Sequence, residues 1–141
     1  MKSARRRARE LTLQALYQWQ LSGQNVAFIE QQFVDGKDYA KADQNYFSLL
    51  LRGTIKESEI LQAAITPCID RKFAELSPVE RAILLLASYE LIHQIEIPYR
   101  VVINEAVELA KSFGGTDGHK YVNGVLDKFA ANVRSVEINA R

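Results

Sequence analysis

The stretch LSPVERAILLLASYELI, residues 76–92, carries the clearest helix start in the sequence. Ser77 suits the N-cap position, Pro78 suits the first helical position, and Glu80 completes an S-x-x-E capping box. The apolar residues that follow cover a face too broad for a surface helix. They are Ile83, Leu84, Leu86, Ala87, Leu91 and Ile92. This segment therefore predicts a helix at the centre of the core.

Apolar residues recur at three- and four-residue spacing on both sides of this segment, and period-two alternation is scarce. Asp43 is a candidate N-cap, and Gly53 indicates a bend or a close packing contact within the helix that follows. Thr116 and Asp117 are candidate N-caps for the last helix. The predicted flanking helices cover about residues 3–21, 26–34, 43–65, 99–113 and 119–133. The sequence therefore predicts an all-α fold, a compact bundle of six to seven helices.

A chain of 141 residues, 48% hydrophobic and 25% charged, has the size and composition of one globular domain. We therefore treat residues 1–141 as a single domain, with residues 1–9 as a basic N-terminal arm. The single cysteine, Cys68, excludes an internal disulfide and fits a reducing cytoplasm. No signal peptide is visible, and the longest apolar run, residues 82–87, is too short to span a bilayer. These features predict a soluble cytoplasmic protein with no membrane partner.

The charge is distributed unevenly, because residues 1–9 hold five basic side chains and no acidic one, whereas the rest of the chain has a net charge of −4. The five are Lys2, Arg5, Arg6, Arg7 and Arg9. A helix start disfavours such charges because its free N–H groups are already partly positive. On a helix Arg5, Arg6 and Arg9 share a surface, while Arg7 points elsewhere. The cluster fits a solvated terminus and a phosphate-binding arm equally well.

No residue pattern indicates a catalytic or metal site. His93 and His119 are not at metal-ligand spacing, and Cys68 has no nearby partner of the zinc type. The sequence has no phosphate-binding glycine loop and no nucleophile elbow. Glu105 and Glu108 share a helix face, and a solvated acidic face explains them better than acid–base chemistry. We therefore expect a non-enzymatic protein with no cofactor and no metal.

The stretch GGTDGHKYVNGV, residues 114–125, combines glycines and a cap position with a helix start. Such a start offers free N–H groups to an anion, and Lys120 and Tyr121 in the first turn suit a phosphate and an unpaired base. In the alternative, Tyr121 is a partly buried core residue and Asp117 only caps the helix. Two glycines in otherwise helical sequence suggest that another group packs closely at their positions, Gly118 and Gly124.

Three segments of the chain resemble the NusB family of transcription antitermination factors. They are RRRARELTLQALYQWQLS (residues 5–22), LSPVERAILLLASYEL (76–91) and PYRVVINEAVELAKSFGGTDGHKYVNGVLDKFA (98–130). The match keeps the family's order and covers nearly the whole chain, although only the helical pattern agrees over residues 23–75. The resemblance implies an all-α fold of two three-helix subdomains and no enzymatic activity.

The resemblance also implies partners. Members of the family bind the boxA element of nascent RNA, particularly in ribosomal RNA leaders, jointly with the ribosomal protein that acts as NusE. That pair joins NusA, NusG and RNA polymerase in a complex that suppresses premature termination. The expected function is therefore that of an RNA-binding adaptor.

Residue by residue, the resemblance assigns the arginine-rich start to the RNA backbone and the start of the last helix to further RNA contacts. The candidate RNA-binding residues are Lys2, Arg5, Arg6, Arg7, Arg9, Tyr17, Asp117, His119, Lys120, Tyr121 and Asn123. The central helix is expected to lie towards NusE, through Glu80, Arg81 and Leu84. Some relatives carry a serine where this chain has Gly118, so a hydroxyl contact is absent at that position.

Alternatives stay open at this point. One is a helical protein–protein scaffold whose arginines are solvated. Another is an accessory RNA-binding module of an enzyme that modifies ribosomal RNA, because the same fold occurs as an accessory domain of ribosomal RNA methyltransferases. The apolar surface around residues 84–86 is either buried on all sides or available to a partner. A second copy of the chain is one such partner, and the resulting homodimer would mask the RNA surface.

Overall fold

The computed structural model describes residues 2–115 and 117–140, so the candidate N-cap Thr116 lies outside the described residues. Within these residues the regular structure is entirely helical, which confirms the all-α prediction. The α-helices are α1 (Ala4–Ser22), α2 (Val26–Val34), α3 (Gln44–Lys56), α4 (Ser58–Ile65), α5 (Pro78–His93), α6 (Tyr99–Phe113), α7 (Gly118–Val133) and α8 (Ser135–Asn139). Short 3-10 helices cover Tyr39–Lys41, Thr66–Cys68 and Phe73–Glu75.

The chain divides into two compact units, Met1–Glu57 and Ser58–Arg141. The first unit contains α1, α2 and α3, as the resemblance implied. The second contains the three long helices α5, α6 and α7, and it also holds the short helices α4 and α8. The additional α4 arises because the helix predicted over residues 43–65 is interrupted at Glu57 rather than bent at Gly53. Ser58 follows the interruption, and serine favours helix starts over helix interiors.

In the first unit, α1 packs against both α2 and α3. The start of α3 matches the sequence prediction, because the Asp43 side chain accepts a hydrogen bond of 3.0 Å from the backbone N–H of Tyr46. The side chains that fill this core are fully buried: Leu13, Leu16, Ile29, Phe47, Leu50 and Leu51. The apolar face of α1 therefore packs into the core of this unit, and the basic residues lie at the N-terminal start of the same helix.

In the second unit, α5 is the central helix that the sequence predicts, and every residue from 82 to 91 is buried. Both hydrogen bonds of its capping box are present. The N–H of Glu80 donates to Ser77 Oγ at 3.1 Å, and the N–H of Ser77 donates to Glu80 Oε1 at 3.2 Å. Burial includes Leu84, which has no exposed surface. Leu84 is therefore a core residue here, and the expectation that it contacts a partner protein is corrected.

Cys68 lies at the end of the turn Thr66–Cys68, with only 7% of its surface exposed. Burial raises the pKa of its thiol above the ordinary value for cysteine. The thiol is therefore protonated at neutral pH and has little nucleophilic character.

A buried arginine fastens the C-terminal part of the second unit. Arg134 is only 4% exposed, and its guanidinium pairs with the carboxylate of Glu137. The same carboxylate accepts a hydrogen bond of 3.0 Å from the backbone N–H of Tyr99, at the start of α6. The guanidinium also donates to four backbone carbonyls, at 2.7, 3.0, 3.0 and 3.5 Å: those of Leu91, Gln94, Ile97 and Glu90. This one side chain thus binds the end of α5, the following turn and, through Glu137, the start of α6.

We expect Arg134→Met to lower the free energy of unfolding by about 3 kcal/mol, because the buried carbonyls and the carboxylate lose their donor. Urea unfolding followed by circular dichroism measures the loss. Lys128→Met is the matched control, since it removes one positive charge from an exposed position of α7. Equal unfolding midpoints for the two variants would contradict this role of Arg134.

Candidate nucleic-acid interface

The basic arm is the beginning of helix α1 rather than a separate extension. Ser3 occupies the N-cap position, and its hydroxyl accepts a hydrogen bond of 3.0 Å from the N–H of Arg6. Lys2 and Arg5 are exposed, whereas Arg6 and Arg7 are half-buried and Arg9 is only 4% exposed. The predicted shared surface of Arg5, Arg6 and Arg9 is therefore corrected, because Arg9 turns into the protein.

The arginines pack against Tyr46, a buried residue of α3. The guanidinium carbon of Arg5 lies 4.0 Å from the centroid of the tyrosine ring, and that of Arg9 lies 5.5 Å from it. Both distances allow a cation–π interaction. Tyr46 thus fixes the two guanidiniums in place, one of them buried and the other half-exposed.

Asp43 completes this cluster. One carboxylate oxygen caps α3 through the N–H of Tyr46, and the other lies 3.6 Å from Arg5 Nε. The backbone N–H of Asp43 donates to the carbonyl of Ala4 at 2.9 Å. The positive charge at the start of α1 is therefore partly balanced by an acid from α3. This contact cannot be predicted from the sequence, because Arg5 and Asp43 are far apart along the chain.

The other candidates of the first unit lie farther from this cluster or are already paired. Lys2 Nζ lies 2.9 Å from a carboxylate oxygen of Glu10, and about half of the lysine side chain stays exposed at 52%. Tyr17, on α1, is 40% exposed. An exposed aromatic ring on a helix that starts with arginines has the chemistry to stack on an unpaired base.

At the start of α7, Asp117 occupies the N-cap position without capping the helix through its side chain. Its backbone is not in the extended conformation that N-cap residues adopt, with φ −113° and ψ 9°. The carboxylate lies instead 3.7 Å from Lys120 Nζ, and both side chains are largely exposed. Asp117 therefore provides an exposed carboxylate beside the exposed ammonium group of Lys120. His119, between them, is half-buried.

Tyr121 belongs to a cluster that the sequence does not predict. Its hydroxyl donates a hydrogen bond of 3.2 Å to Asp70, and the guanidinium carbon of Arg71 lies 4.5 Å from the centroid of its ring. Arg71 Nε in turn donates to Asp70 at 2.8 Å. We call these three residues the Asp70–Arg71–Tyr121 cluster. Asp70 and Arg71 lie in a loop without periodicity, so only the fold reveals that they meet Tyr121.

The protonation states of the cluster favour its hydrogen bonds. The bonds from Arg71 lower the pKa of Asp70, and the Tyr121 hydroxyl lowers that pKa further. Burial raises the pKa of Tyr121, and its hydrogen bond to Asp70 raises that pKa as well. At neutral pH the carboxylate is therefore charged and the phenol is neutral. Because the pKa of Asp70 is lowered in the folded chain, its stabilising contribution is lost as the pH falls through that value.

Glu80 lies beside the start of α7. A Cβ atom added to Gly118 would lie 3.5 Å from Glu80 Oε2, which is an ordinary van der Waals distance. Arg81, next along α5, donates from its guanidinium to the carbonyl of Ala74 at 3.1 Å. Of the three residues predicted to face NusE, Glu80 and Arg81 are half-buried and thus partly accessible.

Gly124 behaves differently from Gly118. A Cβ atom added at Gly124 would meet no described atom within 4 Å, so the close packing predicted there does not come from the described part of the chain. Lys120 and Asn123 on the same helix are exposed. Tyr121 and Asn123 are two positions apart, so they point about 160° away from each other around α7. The structure therefore places Tyr121 and Asn123 on opposite flanks of α7.

Other kinds of site find no support among the described residues. Residues 2–115 and 117–140 contain no group of three histidine, cysteine or acidic side chains that could hold a metal ion. In the same residues no helix combines the length and the apolar character that a membrane crossing requires.

Comparison with known proteins identifies the family. The family model described as the NusB family matches residues 6–131. The transcription antitermination protein NusB of Ralstonia nicotianae is 59% identical over 140 residues, covering 99% of this chain and 90% of that protein. The chain belongs to the NusB family.

Solved structures of the family have the same fold. A structure of NusB from T. maritima superposes with a TM-score of 0.79 at 30% identity and covers 94% of each chain. A crystal structure of the antitermination factors NusB and NusE in complex with dsRNA gives a TM-score of 0.77 at 27% identity. That match covers 92% of this chain and 97% of the other. The family resemblance noted in the sequence is therefore confirmed.

We expect Asp70→Asn to lower the pKa of Tyr121 towards its ordinary value, because the hydrogen bond to a charged acceptor is removed. The pKa stays somewhat above ordinary, since burial is its largest cause. A pH titration of ¹³Cζ-labelled tyrosine by NMR measures the change. Glu59→Gln, on the exposed face of α4, removes a carboxylate elsewhere and should leave Tyr121 unchanged. An identical Tyr121 titration in Asp70→Asn and the wild type would count against the hydrogen bond.

Proposed function

We propose that this chain is a non-enzymatic transcription antitermination factor that binds boxA RNA together with the ribosomal protein acting as NusE. It helps RNA polymerase to read through terminators in ribosomal RNA operons. The observation that carries the proposal is the match, over nearly the full length of both chains, to a NusB solved with NusE and dsRNA. The name of the 59% identical relative, a transcription antitermination protein, supports the same function.

The proposal extends to the wider assembly. The chain and NusE join NusA, NusG and RNA polymerase in one complex, and they act in the cytoplasm, where bacterial transcription takes place. Residues 1–141 act as one RNA-binding domain whose basic arm is residues 1–9. A second copy of the chain would compete with NusE and RNA for the same surface. A homodimer is therefore expected only in the absence of RNA and NusE.

In the first unit, phosphates are the ligands of the basic start of α1. Lys2 and Arg5 are exposed, Arg6 and Arg7 are half-buried, and these four side chains form the direct contacts. Guanidinium groups match phosphate oxygens in geometry and charge, and their contribution to affinity falls with salt. Arg9 is buried against Tyr46, so it supports Arg5 rather than binding RNA itself. Tyr17 provides an exposed ring for one base.

In the second unit, an unpaired base stacks at the start of α7. Arg71 covers the ring of Tyr121, and the guanidinium plane is the surface offered to the base. Lys120 contacts a neighbouring phosphate, with Asp117 and His119 beside it, and Asn123 lies on the same side of α7, one turn farther along. Glu80 and Arg81 lie towards NusE. Arg71 is therefore added to the RNA-binding residues.

We expect the triple variant with Arg5, Arg6 and Arg7 changed to alanine to bind boxA RNA more weakly in the presence of NusE. The slope of log affinity against log salt is negative, and loss of three phosphate contacts should reduce its magnitude by about 2. A filter or fluorescence titration at several salt concentrations measures both. The control changes Lys37, Lys41 and Lys56 to alanine, which removes the same charge from exposed positions of the first unit.

Two outcomes of this titration would count against the proposal. Unchanged affinity in the arginine variant would favour the alternative of a protein scaffold with a solvated arm. Equal affinity of the wild type for boxA and scrambled RNA, with NusE present, would contradict the proposed function itself.

We expect Arg71→Ala to weaken boxA binding by about tenfold, the effect of losing one stacked base. Lys72→Ala is the control, because it removes the same charge from the adjacent exposed position. The same titration measures both variants. If the two lose affinity equally, Arg71 contributes charge alone and the stacking role is wrong.

A further inference from the structure

A polar cavity lies on the side of α7 opposite Tyr121. It is a groove of about 420 Å³ between α6 and α7, within the size range of ligand sites. The lining residues are Tyr99, Arg100, Ile103, Asn104, Asn123 and Asp127. We call it the α6–α7 groove. It shares only Asn123 with the RNA-binding candidates.

The side chains of the groove provide a mixed set of donors and acceptors above an apolar floor. Ile103 is buried and forms the floor, while Arg100 is exposed and donates from Nε to the hydroxyl of Tyr99 at 3.1 Å. Asn104, Asn123 and Asp127 are exposed and have no hydrogen-bond or ion-pair partner among the described residues. Two amides and a carboxylate are therefore available to a ligand.

This chemistry suits a nucleobase better than a phosphate. The groove holds one guanidinium and one carboxylate, so it offers an anion little net attraction. Amide side chains read bases because they donate and accept at once, and a carboxylate accepts from an exocyclic amine. Unpaired RNA bases present these edges to proteins.

Gly124 connects the two flanks of α7. It lies between the position of Tyr121 and that of Asp127, and nothing within 4 Å would meet a Cβ atom there. A glycine inside an exposed helix costs about 1 kcal/mol relative to alanine, and no packing contact in the described chain compensates for it. Glycine does permit another backbone to approach the helix closely. An RNA strand has room to cross α7 at this point.

We propose that the RNA strand crosses α7 over Gly124 and places an unpaired base that carries an exocyclic amine in the α6–α7 groove. Asp127 accepts from the amine, and the amides of Asn104 and Asn123 bind the remaining polar atoms of the base edge. The inference rests on the proposed function, since it adds a further base site, besides Tyr17 and Arg71, to the same RNA.

The test combines replacements of the exocyclic amines in the RNA with variants of the groove. In boxA RNA bound together with NusE, each cytidine is replaced by uridine, each adenosine by purine riboside and each guanosine by inosine, one position at a time. Each replacement removes one exocyclic amine. At one position the wild type should lose about tenfold in affinity, whereas Asp127→Asn should lose much less there. Asn104→Ala should lower the affinity for the unmodified RNA, and its control Gln62→Ala on α4 should leave that affinity unchanged.

The outcomes separate the groove from the proposed function. If the wild type prefers boxA to scrambled RNA but every replacement affects wild type and Asp127→Asn equally, the groove does not read a base. If groove variants weaken NusE binding without RNA, the groove faces protein and the inference is overturned. If boxA is not preferred at all, the proposed function fails and the inference fails with it. Glu59→Gln controls for the charge removed in Asp127→Asn.

A second variant tests the crossing without risking the fold. Gly124→Gln adds a good helix former at an open position, so the thermal midpoint should rise. The same side chain stands in the path of the strand, so the affinity for boxA RNA should fall about tenfold. A more stable variant with unchanged affinity would show that the strand does not pass over Gly124.

Discussion

The basic start of α1 depends on one carboxylate from another helix. Asp43 caps α3, lies beside Arg5 and binds the backbone of Ala4. A helix start favours acids and disfavours bases, so one acid stabilises the first turn of α3 directly and the arginines of α1 by charge. Arg5 is therefore held in place before any RNA arrives. A phosphate that binds them meets an ordered site and loses less free energy to the ordering of side chains.

The same arrangement of side chains occurs in both units. In the first, Asp43 pairs with Arg5, and Arg5 lies over the ring of Tyr46. In the second, Asp70 pairs with Arg71, and Arg71 lies over the ring of Tyr121. Each acid lowers the mobility of a guanidinium without covering it. An exposed arginine that is flat, oriented and charged suits both a phosphate and a base.

Structural features that depend on residues close together in the chain can be predicted from the sequence. The capping box of Ser77 and Glu80, the Asp43 cap and the central position of α5 all follow from residues a few positions apart, and the structure has them. Burial of Arg9 and Leu84 could not be predicted, because it depends on helices that lie elsewhere in the chain. The meeting of Asp70 and Arg71 with Tyr121 was invisible for the same reason. The three long motifs by which the chain resembles the NusB family contain neither Asp70 nor Arg71.

The state of Cys68 has a practical consequence for measuring where RNA lies on this chain. Maleimide dyes and spin labels react with thiolates, and this thiol is covered and protonated at neutral pH. A cysteine introduced on the exposed face of α7 is then the one that takes the probe. Distances from such a probe to a labelled RNA can be recorded with the native cysteine left in place.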